Sequence, residues 1–98
     1  MPMQAKTVVI SNRLGLHARA AARFVQRASQ FTSRVELVRE DTDQMADGKS
    51  ILEVLMLAAP LGTHLMIKAD GPDEGRAVEM LAELVGQKFG EEVSDGLF

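Results

Sequence analysis

Stretches in which apolar and polar residues alternate recur along the chain, and a period of two is typical of half-buried β-strands. The first predicted strand is instead a short β-branched run, Lys6-Thr7-Val8-Val9-Ile10, that ends at the turn-forming residues Ser11-Asn12. In one stretch Val35 and Leu37 share a face, and in the last Leu65 and Ile67 do so. The predicted strands lie at residues 6–10, 34–39, 44–46 and 64–69.

A helix is predicted over residues 18–28, because apolar residues recur there at i, i+3, i+4 and i+7. This stripe consists of Ala21, Phe24, Val25 and Ala28. The opposite side carries arginines at intervals of four residues, namely Arg19, Arg23 and Arg27. Like charges at this spacing destabilise a helix by roughly 0.2–0.5 kcal/mol per pair. The row therefore favours a role other than helix stability.

Two more helices complete the predicted element order. Ser50 and Glu53 match a capping box at the start of an apolar run that ends at Leu57. A turn at residues 70–73 leads into the last helix, whose apolar stripe is Ala77, Leu81 and Leu84, with Val78 and Val85 beside it. The predicted order is βαββαβα. This order predicts an α/β (α+β) fold, a two-layer open-faced sandwich in which three helices cover one face of a four-stranded, mainly antiparallel sheet.

The composition fits one domain with a modest core. The chain has 98 residues, 46% of them hydrophobic, and a chain of this size buries roughly 60% or more of its unfolded surface. We predict a single domain over residues 1–90 and a frayed acidic tail over residues 91–98. The absence of cysteine excludes disulfides, thiol catalysis and thiolate metal sites. We expect no metal and no cofactor.

Charge and hydropathy limit the partners. No apolar run approaches the roughly 20 residues that span a bilayer, so we expect a cytoplasmic monomer without membrane insertion. The net charge of −3 and the absence of Trp and Tyr disfavour a nucleic-acid partner. Residues 1–39 carry seven basic side chains and one acidic, whereas residues 40–98 carry four basic and thirteen acidic. This division favours a positive face that attracts an acidic partner or phosphate, with a solvated, mixed-charge surface as the alternative.

A histidine, His17, stands where the first helix begins, within the sequence Gly15-Leu16-His17-Ala18-Arg19. A helix start presents unpaired backbone N–H groups, here those of Ala18 and Arg19, and together with the helix dipole they form an anion site. The Arg19 guanidinium can hold phosphate oxygens in a bidentate manner, and Gly15 permits close backbone approach. The spacing indicates a phosphate site with His17 as nucleophile. The alternative is a histidine that only begins the helix.

Three motifs occur in the order and spacing of a known family, namely Gly15-Leu16-His17-Ala18-Arg19-Ala20-Ala21, Ala46-Asp47-Gly48-Lys49-Ser50-Ile51 and Gly71-Pro72-Asp73-Glu74. Over nearly its whole length the chain resembles the HPr phosphocarriers of the bacterial phosphotransferase system. Residues 12–19 and the ending Phe89-Gly90-Glu91-Glu92 resemble the nitrogen-type carriers of that family. The family fold, an open-faced sandwich of four antiparallel strands and three helices, agrees with the predicted order.

The resemblance implies a phosphoryl relay and not an enzyme with turnover of its own. Enzyme I, charged from phosphoenolpyruvate, would phosphorylate Nδ1 of His17, and the group would pass to an IIA protein or domain in sugar uptake or its regulation. Arg19 would be the paired arginine. The implied partner surface consists of Leu16, Ala20, Arg23, Arg27, Ile51 and Leu55. The alternative is a non-catalytic regulatory or docking domain that binds a protein or a small ligand through the same face.

Two further positions follow from the resemblance. Ser50 stands where many family members carry a serine that an HPr kinase phosphorylates, whereas by its spacing it is a helix cap. Many members have proline where this chain has Ala20. Proline is favoured in the first helical turn but the transfer does not require it, so we expect the phosphate site to survive.

Overall fold

Four strands and three helices follow one another in the predicted order. The structure, a computed structural model, describes residues 3–91. The strands are β1 (Gln4–Val9), β2 (Arg34–Arg39), β3 (Gln44–Asp47) and β4 (His64–Asp70), and the helices are α1 (Ala18–Ala28), α2 (Ile51–Met56) and α3 (Glu74–Gly86). A short 3-10 turn, Lys88–Gly90, follows α3.

The four strands form one antiparallel sheet in the order β1-β4-β2-β3. β4 lies inside the sheet, where Ile67 is opposite Lys6 of β1 and Leu37 of β2. Burial alternates along β4, since Leu65 and Ile67 are buried while His64 is exposed on the other face. The open-faced sheet that the period of two predicts is therefore confirmed.

The helices cover one face of the sheet and supply half of the core. α1 buries a stripe of small residues and one phenylalanine, namely Ala20, Ala21, Phe24 and Ala28. α3 buries Ala77, Val78, Leu81, Ala82 and Val85. The stripe predicted for α3 is correct except at Leu84, which is only half-buried. The centre of the buried stripe lies on the side of Ala82, so Leu84 falls at its margin. Within residues 3–91 no helix has the length and apolar character needed to cross a membrane.

The carboxylate of Asp73 joins the start of α3 to the segment before β2. It accepts hydrogen bonds from the backbone N–H groups of Thr32 and Ser33, both at 3.0 Å, and from the Ser33 hydroxyl at 2.5 Å. The hydrogen bond from the Ser33 hydroxyl, together with those from the backbone, lowers the pKa of Asp73 from 3.8 to about 2. The Ser33 hydroxyl has the largest effect. The ionised carboxylate therefore ties two distant parts of the chain together.

We expect Asp73→Asn to lower the thermal midpoint at neutral pH, because the amide cannot replace a charged acceptor of three hydrogen bonds. A pKa that is lower in the folded than in the unfolded protein stabilises the fold above the unfolded value and loses that effect as the pH falls through the folded value. The difference between wild type and variant should therefore shrink as the pH falls from about 4 towards 2. Thermal unfolding followed by circular dichroism measures it, with Asp70→Asn, an exposed acid, as the control. A difference that is equal at pH 2 and pH 7 would contradict this account.

Candidate functional site

His17 is the N-cap residue of α1. Its backbone is extended, with φ −80° and ψ −176°, and its carbonyl accepts the hydrogen bond of Ala21 at 2.8 Å. The ring folds back over the helix start, where Nδ1 accepts the backbone N–H of Arg19 at 3.3 Å. The imidazole thus takes the place that a serine or aspartate side chain occupies in most caps, and its side chain is 26% exposed.

The loop before α1 is held by the loop before β4. The N–H of Leu16 donates to the Ala59 carbonyl at 2.8 Å, and the N–H of Ile10 donates to the Thr63 carbonyl at 2.9 Å. Gly15 has φ +72°, and a Cβ at this position would lie 2.6 Å from the Ala59 oxygen. The close approach at Gly15 is therefore to the backbone of Ala59, and its role beside a phosphate stays a prediction.

The second ring nitrogen of His17, Nε2, lies 2.5 Å from Oε2 of Glu91. Oε1 of the same carboxylate accepts a hydrogen bond from Nδ2 of Asn12 at 3.1 Å, and Nδ2 also donates to the Gly15 carbonyl at 2.7 Å. Asn12 is fully buried and Glu91 is 7% exposed. Both sides of the imidazole therefore have a hydrogen-bond partner.

This contact corrects the sequence prediction for Glu91, which assigns it to the acidic tail. Three successive residues before it, Lys88, Phe89 and Gly90, have φ of +58°, +55° and +78°, and this left-handed turn redirects the chain after α3. Phe89 is buried in the core, and the Arg23 guanidinium donates to its carbonyl. The rest of the predicted tail, residues 92–98, lies outside the described residues.

Asn12 and Glu91 are the two site residues that sequence reasoning misses. Asn12 has the pattern of a turn former, and Glu91 is one acid among several near the end of the chain. The two residues are 79 positions apart, so no helical or strand period relates them. Only their presence in the two segments that resemble nitrogen-type carriers links them in the sequence.

The residues predicted to bind partners separate into two groups. Leu16 and Ala20 are 4% and 0% exposed and belong to the core, which corrects their assignment to the partner surface. The loop and the first turn of α1 turn these side chains towards the sheet. The others retain some exposure: Arg23, Arg27 and Leu55 are half-buried and Ile51 is exposed.

α2 exposes two apolar residues that the predicted partner surface does not include. Leu52 and Met56 are 66% and 63% exposed. In the sequence of α2 only Glu53 is charged, and a six-residue helix that buries Val54 must leave some of its other apolar side chains in solvent. α1 and α2 pack against each other, so these side chains belong to the same side of the molecule as the arginines.

Ser50 is the N-cap residue of α2, as its spacing predicts. Its hydroxyl accepts the N–H of Glu53 at 3.3 Å. The reciprocal bond differs from a standard capping box, because the Glu53 carboxylate accepts the N–H of Asp47 at 2.9 Å instead of that of Ser50. Ser50 is half-buried.

The site combines a partly exposed imidazole with the start of a helix, an arrangement that is able to bind an anion. The N–H groups of the first turn point outwards, and the exposed Arg19 follows His17 by two residues. Among residues 3–91, no group of three or more His, Asp or Glu is arranged to hold a metal ion. Any phosphate at this site would be held by the backbone N–H groups and by guanidinium.

Known proteins with the same fold and sequence pattern exist. A family model described as "PTS HPr component phosphorylation site" matches residues 4–87. A phosphocarrier protein HPr from Cupriavidus necator is 44% identical over 89 residues, which are 91% of this chain and 97% of that protein. The HPr of Treponema pallidum is 46% identical over 90 residues, covering 92% of this chain and 100% of that protein. The crystal structure of HPr-C-His from Thermoanaerobacter tengcongensis has a TM-score of 0.84 and 38% identity, covering 90% of this chain and 97% of that one.

We expect Gly15→Ala to lower the free energy of unfolding by about 1–3 kcal/mol, because a Cβ at a positive φ must displace the Ala59 carbonyl. Gly75→Ala is the matched control. A Cβ at Gly75, in α3, meets no atom within 4 Å, so this variant should gain up to about 1 kcal/mol. Urea unfolding measures both, and equal effects of the two substitutions would contradict the packing described for Gly15.

Proposed function

The chain belongs to the HPr family of phosphocarriers of the phosphotransferase system, and we propose that it takes a phosphoryl group on Nδ1 of His17 from enzyme I. It then passes the group to an IIA protein or domain, in sugar uptake or its regulation. As a phosphocarrier it is not an enzyme: it is a protein substrate of one partner and a donor to the next. We include a cytoplasmic location in this proposal.

The orientation of the His17 ring supports the proposal most directly. Nδ1 faces the backbone N–H of Arg19, so a phosphoryl group on Nδ1 would lie at the positive end of α1. Positioning and electrostatic stabilisation provide most of the catalysis in phosphoryl transfer, so that the carrier itself needs no base and no metal. The arrangement suits a residue that must receive and release the same anion.

Arg19 and the helix start would share the phosphoryl oxygens. Arg19 is exposed, so its guanidinium is free to turn towards the phosphoryl group and to form paired hydrogen bonds. Ala20, where many family members have proline, adds one backbone N–H to the same turn while its side chain stays buried. The phosphate site therefore retains its donors in this chain.

The partner surface that we propose consists of the arginine side of α1 and the exposed side of α2. It includes Arg27, Ile51 and Leu55 from the resemblance, and Leu52 and Met56 from their exposure. Arg23 contributes only in part, because its guanidinium is bound to the Phe89 carbonyl. Such a mixed surface, apolar in the middle and basic beside it, suits transient binding to two acidic partners in turn.

Regulation at Ser50 stays a prediction. A phosphate on the hydroxyl would replace the hydrogen bond to the Glu53 N–H and place negative charge at the start of α2, beside the proposed partner surface. The helix would keep a negatively charged N-cap, so that partner binding would be affected more than the fold. Incubation with an HPr kinase and ATP, read by intact mass, tests this position.

We expect the protein to gain one phosphoryl group when it is incubated with phosphoenolpyruvate, magnesium and enzyme I from the same organism. Intact mass should show a single adduct of acid-labile character, because a phosphorus–nitrogen bond to imidazole hydrolyses in acid. His17→Ala should gain none.

His64→Ala is the matched control for this experiment. His64 is the other histidine of the chain and is exposed at the start of β4, so its loss should leave the adduct unchanged. An adduct that persists in His17→Ala would refute the assignment of the acceptor. Absence of an adduct in every variant would favour the docking function.

We expect Arg27→Glu to slow phosphoryl transfer from enzyme I, and the difference from wild type should shrink as salt rises, because surface charges act on association through long-range attraction. Arg76→Glu is the matched control, since Arg76 is exposed near the start of α3. Stopped-flow or quench-flow transfer at several salt concentrations measures the effect. Equal slowing by both variants would mean that net charge, and not this surface, guides the encounter.

A further inference from the structure

The contact between His17 and Glu91 determines which ring nitrogen carries the proton. Nδ1 faces a donor, the backbone N–H of Arg19 at 3.3 Å, and this long hydrogen bond favours a lone pair on Nδ1 without fixing it alone. Nε2 faces a carboxylate oxygen at 2.5 Å, and an ionised carboxylate accepts hydrogen bonds but cannot donate them. One tautomer satisfies both neighbours, with the proton on Nε2 and the lone pair on Nδ1.

The Glu91 carboxylate is built into the fold. It is 7% exposed, and its second oxygen is fixed by the buried amide of Asn12 at 3.1 Å. The turn that delivers it contains two non-glycine residues in the left-handed region, Lys88 and Phe89, a backbone conformation that costs free energy for such residues. Burial of Phe89 and the hydrogen bond from Arg23 offset this cost. A chance contact of a loose tail would have none of these supports.

We propose that Glu91 is a positioning residue for phosphoryl transfer: it keeps the proton on Nε2 of His17, orients Nδ1 towards the helix start and balances the charge that the ring gains. This inference rests on the proposed function. In the transfer, the Nδ1 lone pair forms the bond to phosphorus while the bond from phosphorus to the donor breaks, and that electron pair leaves with the donor. No proton moves, so the phosphorylated ring keeps its Nε2–H and carries a positive charge. The Glu91 carboxylate lies against that N–H, as carboxylates do beside functional histidines in other sites.

Two substitutions of Glu91 separate its roles. Glu91→Gln keeps the size of the side chain but removes the charge and one of the two acceptor oxygens, so its amide cannot accept from both His17 Nε2–H and Asn12 Nδ2. Glu91→Ala removes both the acceptor and the charge. Glu83→Gln, an exposed acid of α3, is the matched control. Backbone amide spectra of the full-length variants establish that each one is folded.

The first readout is the pair of ¹⁵N chemical shifts of the His17 ring, which distinguish a protonated from an unprotonated nitrogen. Wild type and Glu83→Gln should show the proton on Nε2, whereas Glu91→Ala, which offers Nε2 no acceptor, should show a mixture of both tautomers. Unchanged shifts in Glu91→Ala would overturn the proposal, even if transfer falls, because a loss of transfer would then come from altered structure.

The second readout is the initial rate of phosphoryl transfer from enzyme I. Loss of a charge-assisted hydrogen bond should slow Glu91→Gln about 10-fold and Glu91→Ala about 10- to 100-fold, with Glu83→Gln unaffected. Transfer by both Glu91 variants at the wild-type rate would overturn the proposal. If the wild-type protein accepts no phosphoryl group, the proposed function fails, whereas the ring shifts still decide whether Glu91 holds the proton.

Discussion

The unpaired backbone N–H groups at the start of α1 are the constraint to which the rest of the site responds. The first N–H groups of a helix have no carbonyl partner within it and must find another acceptor. Here the side chain of the N-cap residue supplies one, Nδ1 of His17, at 3.3 Å from the Arg19 nitrogen. That bond is long, and a phosphoryl group on Nδ1 would replace it with oxygens that accept more strongly. The same local requirement therefore orients the ring in the free protein and provides donors for the phosphoryl group.

The sequence determines this helix start well, because each of its causes is local. The apolar spacing predicts α1 with its observed bounds, Ala18–Ala28, and the glycine that permits the preceding turn is adjacent to the histidine. The strands and the cap of α2 are likewise local patterns, which explains why the strand boundaries are predicted to within two residues; the largest difference is at β1, which begins at Gln4 instead of Lys6. Burial is harder to predict at helix ends. Ala20 follows Arg19 directly, but its side chain points into the core, because successive residues of a helix point about 100° apart.

Glu91 could not be predicted from local pattern, because its position depends on tertiary packing. Residues 88–90 adopt left-handed backbone angles that their own preferences disfavour at Lys88 and Phe89. The burial of Phe89 provides the compensation, and the turn that carries it packs against α1, which is distant in the sequence, as well as against α3. The arginines of α1 likewise depend on tertiary packing that their spacing does not predict. Their even spacing suggests one common role, whereas the Arg23 guanidinium also donates a hydrogen bond to the Phe89 carbonyl of the final turn.

The charges around His17 would act in opposite directions on a phosphoryl group carried at Nδ1, the position that we propose. The start of α1 and Arg19 attract the phosphoryl oxygens on the Nδ1 side. On the Nε2 side the Glu91 carboxylate stabilises the cationic ring, but as an anion within a few ångströms it also repels the phosphoryl group. A site with only the attractive groups would hold the phosphoryl group too tightly. A site with only the carboxylate would not accept the phosphoryl group. Because the carboxylate meets the ring at Nε2, the nitrogen farther from the proposed phosphoryl position, its repulsion would be weaker than at Nδ1 and would oppose the attraction without preventing binding.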